Sequence, residues 1–214
     1  MLPFSREAFF AVFAHYNAAI WPAHIAAYAL GGLLVLLALK PRPGNGRIVA
    51  AVLAIAWLWM GIVYHMLYFA PINWGAWVFG TFFIGQGLLL AWAGIRGKLD
   101  VHFKRNLFGA VGLGFIAFSM ILYPLIGLAT DHGWPRGPMF GVAPCPTVIF
   151  TVGMLLITTP RAPVHLLIVP VLWSLIGGAA AWQLGILEDL ALPIAGISGV
   201  CLVFWKNRRA RGLA

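Results

Sequence analysis

The feature that most constrains this chain is a series of near-continuous apolar runs with almost all charges confined to the gaps between them. A run of about twenty apolar residues is what a helix needs to cross the ~30 Å hydrocarbon core of a bilayer. In lipid, only helices and closed barrels satisfy every backbone polar group. The runs here are continuous rather than alternating, so helices are expected. Composition agrees: 62% of residues are hydrophobic and 9% are charged, against about 25% charged in a soluble domain. The expected fold class is all-α, a polytopic membrane protein.

Seven spans are expected, at 21–39, 48–69, 74–95, 107–130, 146–159, 164–184 and 190–205. The fifth and seventh are short for a bilayer and need thinning or an extra turn. Ahead of them, Ser5 is a good N-cap, Glu7 suits a helix N-terminus, and Phe4 and Phe9 take the two staple positions. Glu7 spoils the basic start of a signal peptide, and no cleavage site precedes Trp21-Pro22. Residues 1–20 are therefore expected to form a retained interfacial helix, or one that runs into the first span with a break at Pro22. The chain is expected to be a single membrane domain. Its parts are the 1–20 helix, the 21–205 bundle of seven helices and a basic 206–214 tail.

The basic residues orient the bundle. Lys40, Arg42, Arg47, Arg96, Lys98, Lys104, Arg105, Arg161, Lys206, Arg208, Arg209 and Arg211 fall on one side; Arg6 and Arg136 fall on the other with Glu7, Asp131, Glu188 and Asp189. The C-terminus is thus expected in the cytoplasm and the N-terminus outside. The net charge of +9 is accounted for by orientation and lipid headgroups, and nucleic acid is not an expected partner. Spans two and six each carry Trp-x3-Gly after a proline-arginine turn, Trp57 to Gly61 and Trp173 to Gly177, a faint echo of a parallel repeat.

The longest polar-tolerant interruption runs from Asp131 to Thr151 and ends in Pro144-Cys145-Pro146. A proline suits the first turn of a helix, which would put Cys145 at the N-cap, where a thiolate is favoured. The same membrane face collects His15, His24, His65, His132 and Glu188, while His102 and His165 sit on the opposite, basic side. Trp57, Met60, Tyr64 and Tyr68 share one helical face beside His65, as do Phe79, Phe82, Phe83 and Gln86 in the next span. Gln86, Ser119, Tyr123, Thr147, Thr151 and Gln183 each need a partner in lipid and are expected to face the bundle interior. Together these residues predict a polar and aromatic pocket opening outward under the 131–143 loop.

Imidazole and thiolate suit zinc or copper, so His24, His65, His132 and Cys145 are the candidate metal ligands. Two histidines would suit haem less well, since no spacing favours it. Tyr64, His65, Tyr68, Tyr123, His132 and Cys145 are the candidate ligand-binding residues. No catalytic residue is assigned. A Cys145–Cys201 disulfide is not expected, because Cys201 lies deep in the last span. A retinal Schiff base has no lysine in a span to form on. The outline resembles seven-helix membrane hydrolases of the ceramidase kind, but their three-histidine pattern is not found. No acidic or basic residue is expected near the middle of a span, which weighs against ion-coupled transport.

Three stretches carry a wider resemblance: MLPFSREAFFAVFAHYNAAIWP, GIVYHMLYFAPINWGAWVFGTFFIGQ and YPLIGLATDHGWPRGPMFGVAPCPTVIFTVGMLL. Together they resemble an uncharacterised family of bacterial multi-pass membrane proteins, a domain of unknown function. The resemblance covers nearly the whole chain. It implies a bacterial inner membrane location and brings no activity and no site residues. The expected function is binding or transport of a small solute or soft metal ion. The alternatives are a membrane-embedded metal- or thiol-dependent enzyme, and a structural or assembly partner whose Gly109, Gly112 and Gly114 pack a neighbouring helix or a second copy of the chain.

Overall fold

The computed structural model describes residues 2–130 and 132–212; Asp131, expected at the head of the long loop, lies outside them. The described residues form eight helices and no strand, with a single isolated bridge between Val101 and Thr158. The helices are α1 (Arg6–Ala19), α2 (Ala23–Leu39), α3 (Asn45–Phe69), α4 (Ala76–Ile95), α5 (Leu107–Ala129), α6 (Pro144–Ile157), α7 (Val164–Leu184) and α8 (Glu188–Gly212). Five of them, α3, α4, α5, α7 and α8, are long and apolar enough to cross a membrane. The pair α1 and α2 meets that test only when taken together, and the two are bent by 87° at the break around Pro22.

Local chemistry sets the boundaries. Ser5 accepts from the Ala8 N–H at 3.2 Å and Asn106 from the Gly109 N–H at 3.0 Å, so α1 and α5 start on side-chain caps. The α2–α3 turn is tied by the Asn45 amide, which donates to the Leu37 and Lys40 carbonyls. At the end of α7, Gly185 takes φ +67°, the left-handed cap that a side chain would resist. Two helices widen internally into π turns, Met60–Phe69 in α3 and Phe118–Leu122 in α5. Such turns recur at functional sites, and here they bring Tyr64, His65 and Ser119 to the interior and lead into Tyr123.

The shortest helix lies at the centre. All fourteen residues of α6 are buried, and it packs against α3, α5, α7 and α8. At 1.5 Å per residue it is about 21 Å long, too short to reach both faces of a bilayer. Close approach to α5 depends on two glycines. A Cβ at Gly112 would lie 2.8 Å from the Gly153 carbonyl oxygen, and one at Gly153 would lie 2.7 Å from that of Gly112. Gly112 is thus used inside the chain, whereas Gly114 faces open space.

Several expectations about the ends need correction. The last helix does not stop before a solvated tail: α8 runs to Gly212, and Lys206 is buried. Its neighbour Asn207 exchanges hydrogen bonds with the Ala162 backbone, and Arg161 donates to the Ala210 carbonyl. The N-cap of α6 is Ala143 rather than Cys145, which lies within the first turn. The 1–20 segment does lie across the bundle, but Phe9, Phe10, Phe13, Tyr16 and Asn17 are all buried against protein. Gln183 and Phe82 are exposed rather than turned inward.

Candidate functional site

Two buried carboxylates open the last helix. Glu188 and Asp189 are 1% and 2% exposed. Charges this deep are costly unless paired or hydrogen-bonded, so their partners define the site. Glu188 meets His132 across 2.7 Å, and the histidine is itself buried. The other ring nitrogen, Nδ1, lies 2.7 Å from the Thr130 carbonyl oxygen. A carbonyl can only accept, so Nδ1 carries a proton, and the contact at Nε2 needs a second proton shared with Glu188. The imidazole stacks on Phe10, whose ring also carries Arg6 and Arg136 within 5.6 Å. His132 is therefore a locked internal partner of Glu188, not a solvated loop residue.

Asp189 is finished differently. Its carboxylate accepts from the Tyr123 hydroxyl and lies beside the Cys145 thiol in the first turn of α6. Among the described residues it has no cationic partner. Asp189 and Cys145 open on a cavity of about 410 Å³. Aromatic rings dominate its wall: Phe9 and Phe13 from α1, Tyr64 and Phe69 from α3, Phe79 from α4 and Trp173 from α7. The Trp173 indole is buried there beside the Cys145 thiol. Behind this wall, His65 is fully buried among Tyr64, Phe69, Phe79, Phe83 and Trp173, with both ring nitrogens unpartnered. The two Trp-x3-Gly tryptophans flank one ring, with Trp57 and Trp173 at 4.6 and 5.0 Å from Phe83.

The cover of this cavity is the N-terminal segment, including Phe4, Phe9 and Phe13. The 132–143 loop, expected as the lid, does not line this cavity; it is tied to α1 and lines neighbouring cavities instead. Asn17 donates to the Pro135 and Gly137 carbonyls, and Tyr16 donates to that of Val142. Asn17 Oδ1 in turn accepts from His24 Nε2 at 3.1 Å. The Trp59 indole donates to the Tyr16 hydroxyl, tying this clamp to α3.

Of the candidate ligand-binding residues, Tyr64 and Cys145 line the cavity and Tyr123 reaches it through Asp189. His65 sits one ring behind it, His132 beyond Glu188, and Tyr68 against Tyr16 and His15 at the edge of α1. His102 and His165 are exposed at the other end of the bundle. The candidate metal ligands His24, His65, His132 and Cys145 occupy separate neighbourhoods. Among the described residues, no three His, Cys, Asp or Glu are grouped to hold a metal ion. The thiol's titratable neighbour is the Asp189 carboxylate, and among the described residues no histidine is grouped with it. Cys145 and Cys201 are both free.

Asp189, Trp173 and Asn17 are not among the site residues expected from the sequence. Asp189 reads as a loop charge because the apolar run begins only after it. The available signal was the paired Glu188-Asp189 directly abutting an apolar run, where a first helical turn can draw both inward.

A model of the family of unknown function DUF6064 matches residues 6–213. No curated protein matches the chain, and no solved structure does. The match takes in α1, the carboxylate pair and the cavity wall from Phe9 onward, and the chain belongs to the family of unknown function DUF6064.

Proposed function

We propose that this chain is a multi-pass protein of the bacterial inner membrane that binds, or carries, a small amphipathic solute in the cavity beneath α1. The five long apolar helices, with α2 and α6, would make the seven-segment bundle. The side chains at the helix ends support that placement. Trp21, Trp74, Trp77 and Trp182 are exposed at the α1 end, Trp92 and Trp205 at the other, as in interfacial aromatic belts. Arg96 and Arg209 cover Trp92 and Trp205 at 4.5 and 4.4 Å. The side holding most of the basic residues would face the cytoplasm.

The cavity carries the functional reading. A mostly apolar, largely pre-formed cavity with a few convergent polar groups is the usual form of a small-molecule site. Its 410 Å³ suits a small molecule with one ring or a short chain. The test uses full-length protein with Cys201→Ser in nanodiscs and follows alkylation of Cys145 by N-ethylmaleimide. Phenylbutanol, a neutral solute of suitable size, should slow alkylation saturably. An alkylation rate indifferent to the solute at saturating concentration would refute a binding cavity there. Elemental analysis of the same preparation tests the soft-metal alternative: stoichiometric zinc or copper that disappears in Cys145→Ser would displace the solute reading.

A further inference from the structure

The cavity beneath α1 is lined by one ionisable carboxylate and, among the described residues, by no lysine, arginine or histidine. Asp189 is nearly inaccessible from bulk water, and among the described residues its side-chain neighbours are the neutral Tyr123 hydroxyl and the Cys145 thiol, with no cation. The neighbouring acid does not help, because Glu188 already holds His132 and has its second oxygen unpartnered. A buried carboxyl group without a cation nearby is neutralised by a proton or by a positively charged ligand, and a ligand ammonium that displaces the proton makes a charge-assisted bond. The surrounding wall has the matching property. Phe9, Phe13, Tyr64, Phe69, Phe79 and Trp173 present rings to one space, and aromatic faces attract cations, most strongly where water is excluded. Trp173, 9% exposed, brings its indole into the same wall beside the Cys145 thiol.

Resting on the reading of this cavity as a solute site, we infer that its ligand is an organic cation, a protonated amine on an aromatic or short aliphatic body. The ammonium would sit on Asp189 at the Cys145 end, and the body would lie among the rings under α1. Anions are disfavoured by the same arrangement, since a carboxylate ligand would face Asp189 with no basic residue to offset it. A neutral isostere keeps the apolar contacts and loses the charge-assisted bond, which is worth about tenfold or more in affinity.

The experiment compares three matched probes, phenylbutylamine, phenylbutanol and phenylbutyrate, on the full-length chain in zwitterionic nanodiscs. Tritiated phenylbutylamine is followed by scintillation proximity, with the other two as competitors. The expected result is saturable amine binding, at least tenfold tighter than phenylbutanol, with phenylbutyrate not competing. In Asp189→Asn the amine advantage should shrink to within about threefold of the alcohol, while phenylbutanol still protects Cys145. Equal affinity of amine and alcohol in the wild-type chain overturns the cation assignment and leaves the solute site standing. Failure of every probe both to bind and to protect Cys145 overturns the solute site itself. The wild-type comparison decides the point even where Asp189→Asn does not fold.

Discussion

At one end of α6, the Lys206 ammonium donates to the carbonyls of Leu155, Leu156 and Thr158 at 3.0, 2.9 and 2.7 Å. At the other end, the Asp189 carboxylate lies beside Cys145 in the first helical turn. A cation at a helix C-terminus and an anion at its N-terminus are both what the helix dipole favours. The short central helix needs both, because neither of its ends reaches water. The difference lies in how completely each group is satisfied. Lys206 has three donors and uses all three on backbone, and the 97–106 segment closes over the same end, with the His102 N–H donating to the Ile157 carbonyl and the Thr159 N–H donating to that of Asp100. Asp189 keeps one tyrosine donor, a thiol for a neighbour, and an open cavity. A closed end is an architectural plug. An end left open and aromatic is where the proposed solute would sit.

Substitutions can break this contrast, and Lys206→Met should have the largest effect. It leaves three buried carbonyls without donors and is expected to cost on the order of 4 kcal/mol, read from reversible unfolding in mixed micelles. A loss below about 1 kcal/mol would mean that water reaches that end and that it is not a plug. His132→Ala comes next. It strands Glu188 inside the protein and should cost about 3 kcal/mol. The double variant His132→Ala, Glu188→Gln should recover a large part of that, which a double-mutant cycle would read as coupling.

Gly153→Val probes the helix seam rather than either end. Its added side chain meets the Gly112 carbonyl and should cost about 2 kcal/mol through overpacking, with Gly114→Val on the same helix as Gly112 close to neutral, since nothing lies within contact there. Asn17→Ala is the mildest. It frees the Pro135 and Gly137 carbonyls and should cost about 1 kcal/mol. Its signature is local: faster hydrogen exchange over the 132–143 loop, with α6 unchanged. Uniform acceleration throughout the bundle would show instead that the loop and the core open together.

What was legible in the sequence follows from what each signal reports. Apolar runs report helices, and the observed helices fall where the runs do. Val164–Leu184 agrees at both ends, and Leu107–Ala129 within a residue. Hydropathy counts side chains singly, so it cannot tell a charged residue in water from one folded onto a helix end. Lys206 read as tail and Asp189 as loop for that reason, and both are buried. Periodicity placed Trp57, Met60 and Tyr64 on one inner face, yet it assumed 3.6 residues per turn. The π turns from Met60 onward changed the phase and brought His65 inward as well. The two prolines around Cys145 suggested an N-cap cysteine, but the cap is Ala143, and the thiol's neighbour is a carboxylate from 44 positions further along the chain. A contact of that kind is fixed by helix packing and leaves no local trace. The 132–143 loop is held at α1 by Tyr16 and Asn17, which look like ordinary helix residues until they are seen holding three loop carbonyls.

The most direct test of the contrast between the two ends is the ligand-free stability of Asp189→Asn set beside that of Lys206→Met, in the same micelles. A group kept for a ligand contributes little to the empty protein. The expected result is that Asp189→Asn is neutral or slightly stabilising, within about 0.5 kcal/mol of the parent chain, while Lys206→Met loses on the order of 4 kcal/mol. Comparable losses in the two variants would contradict the contrast, and would make Asp189 a second plug rather than the floor of a site.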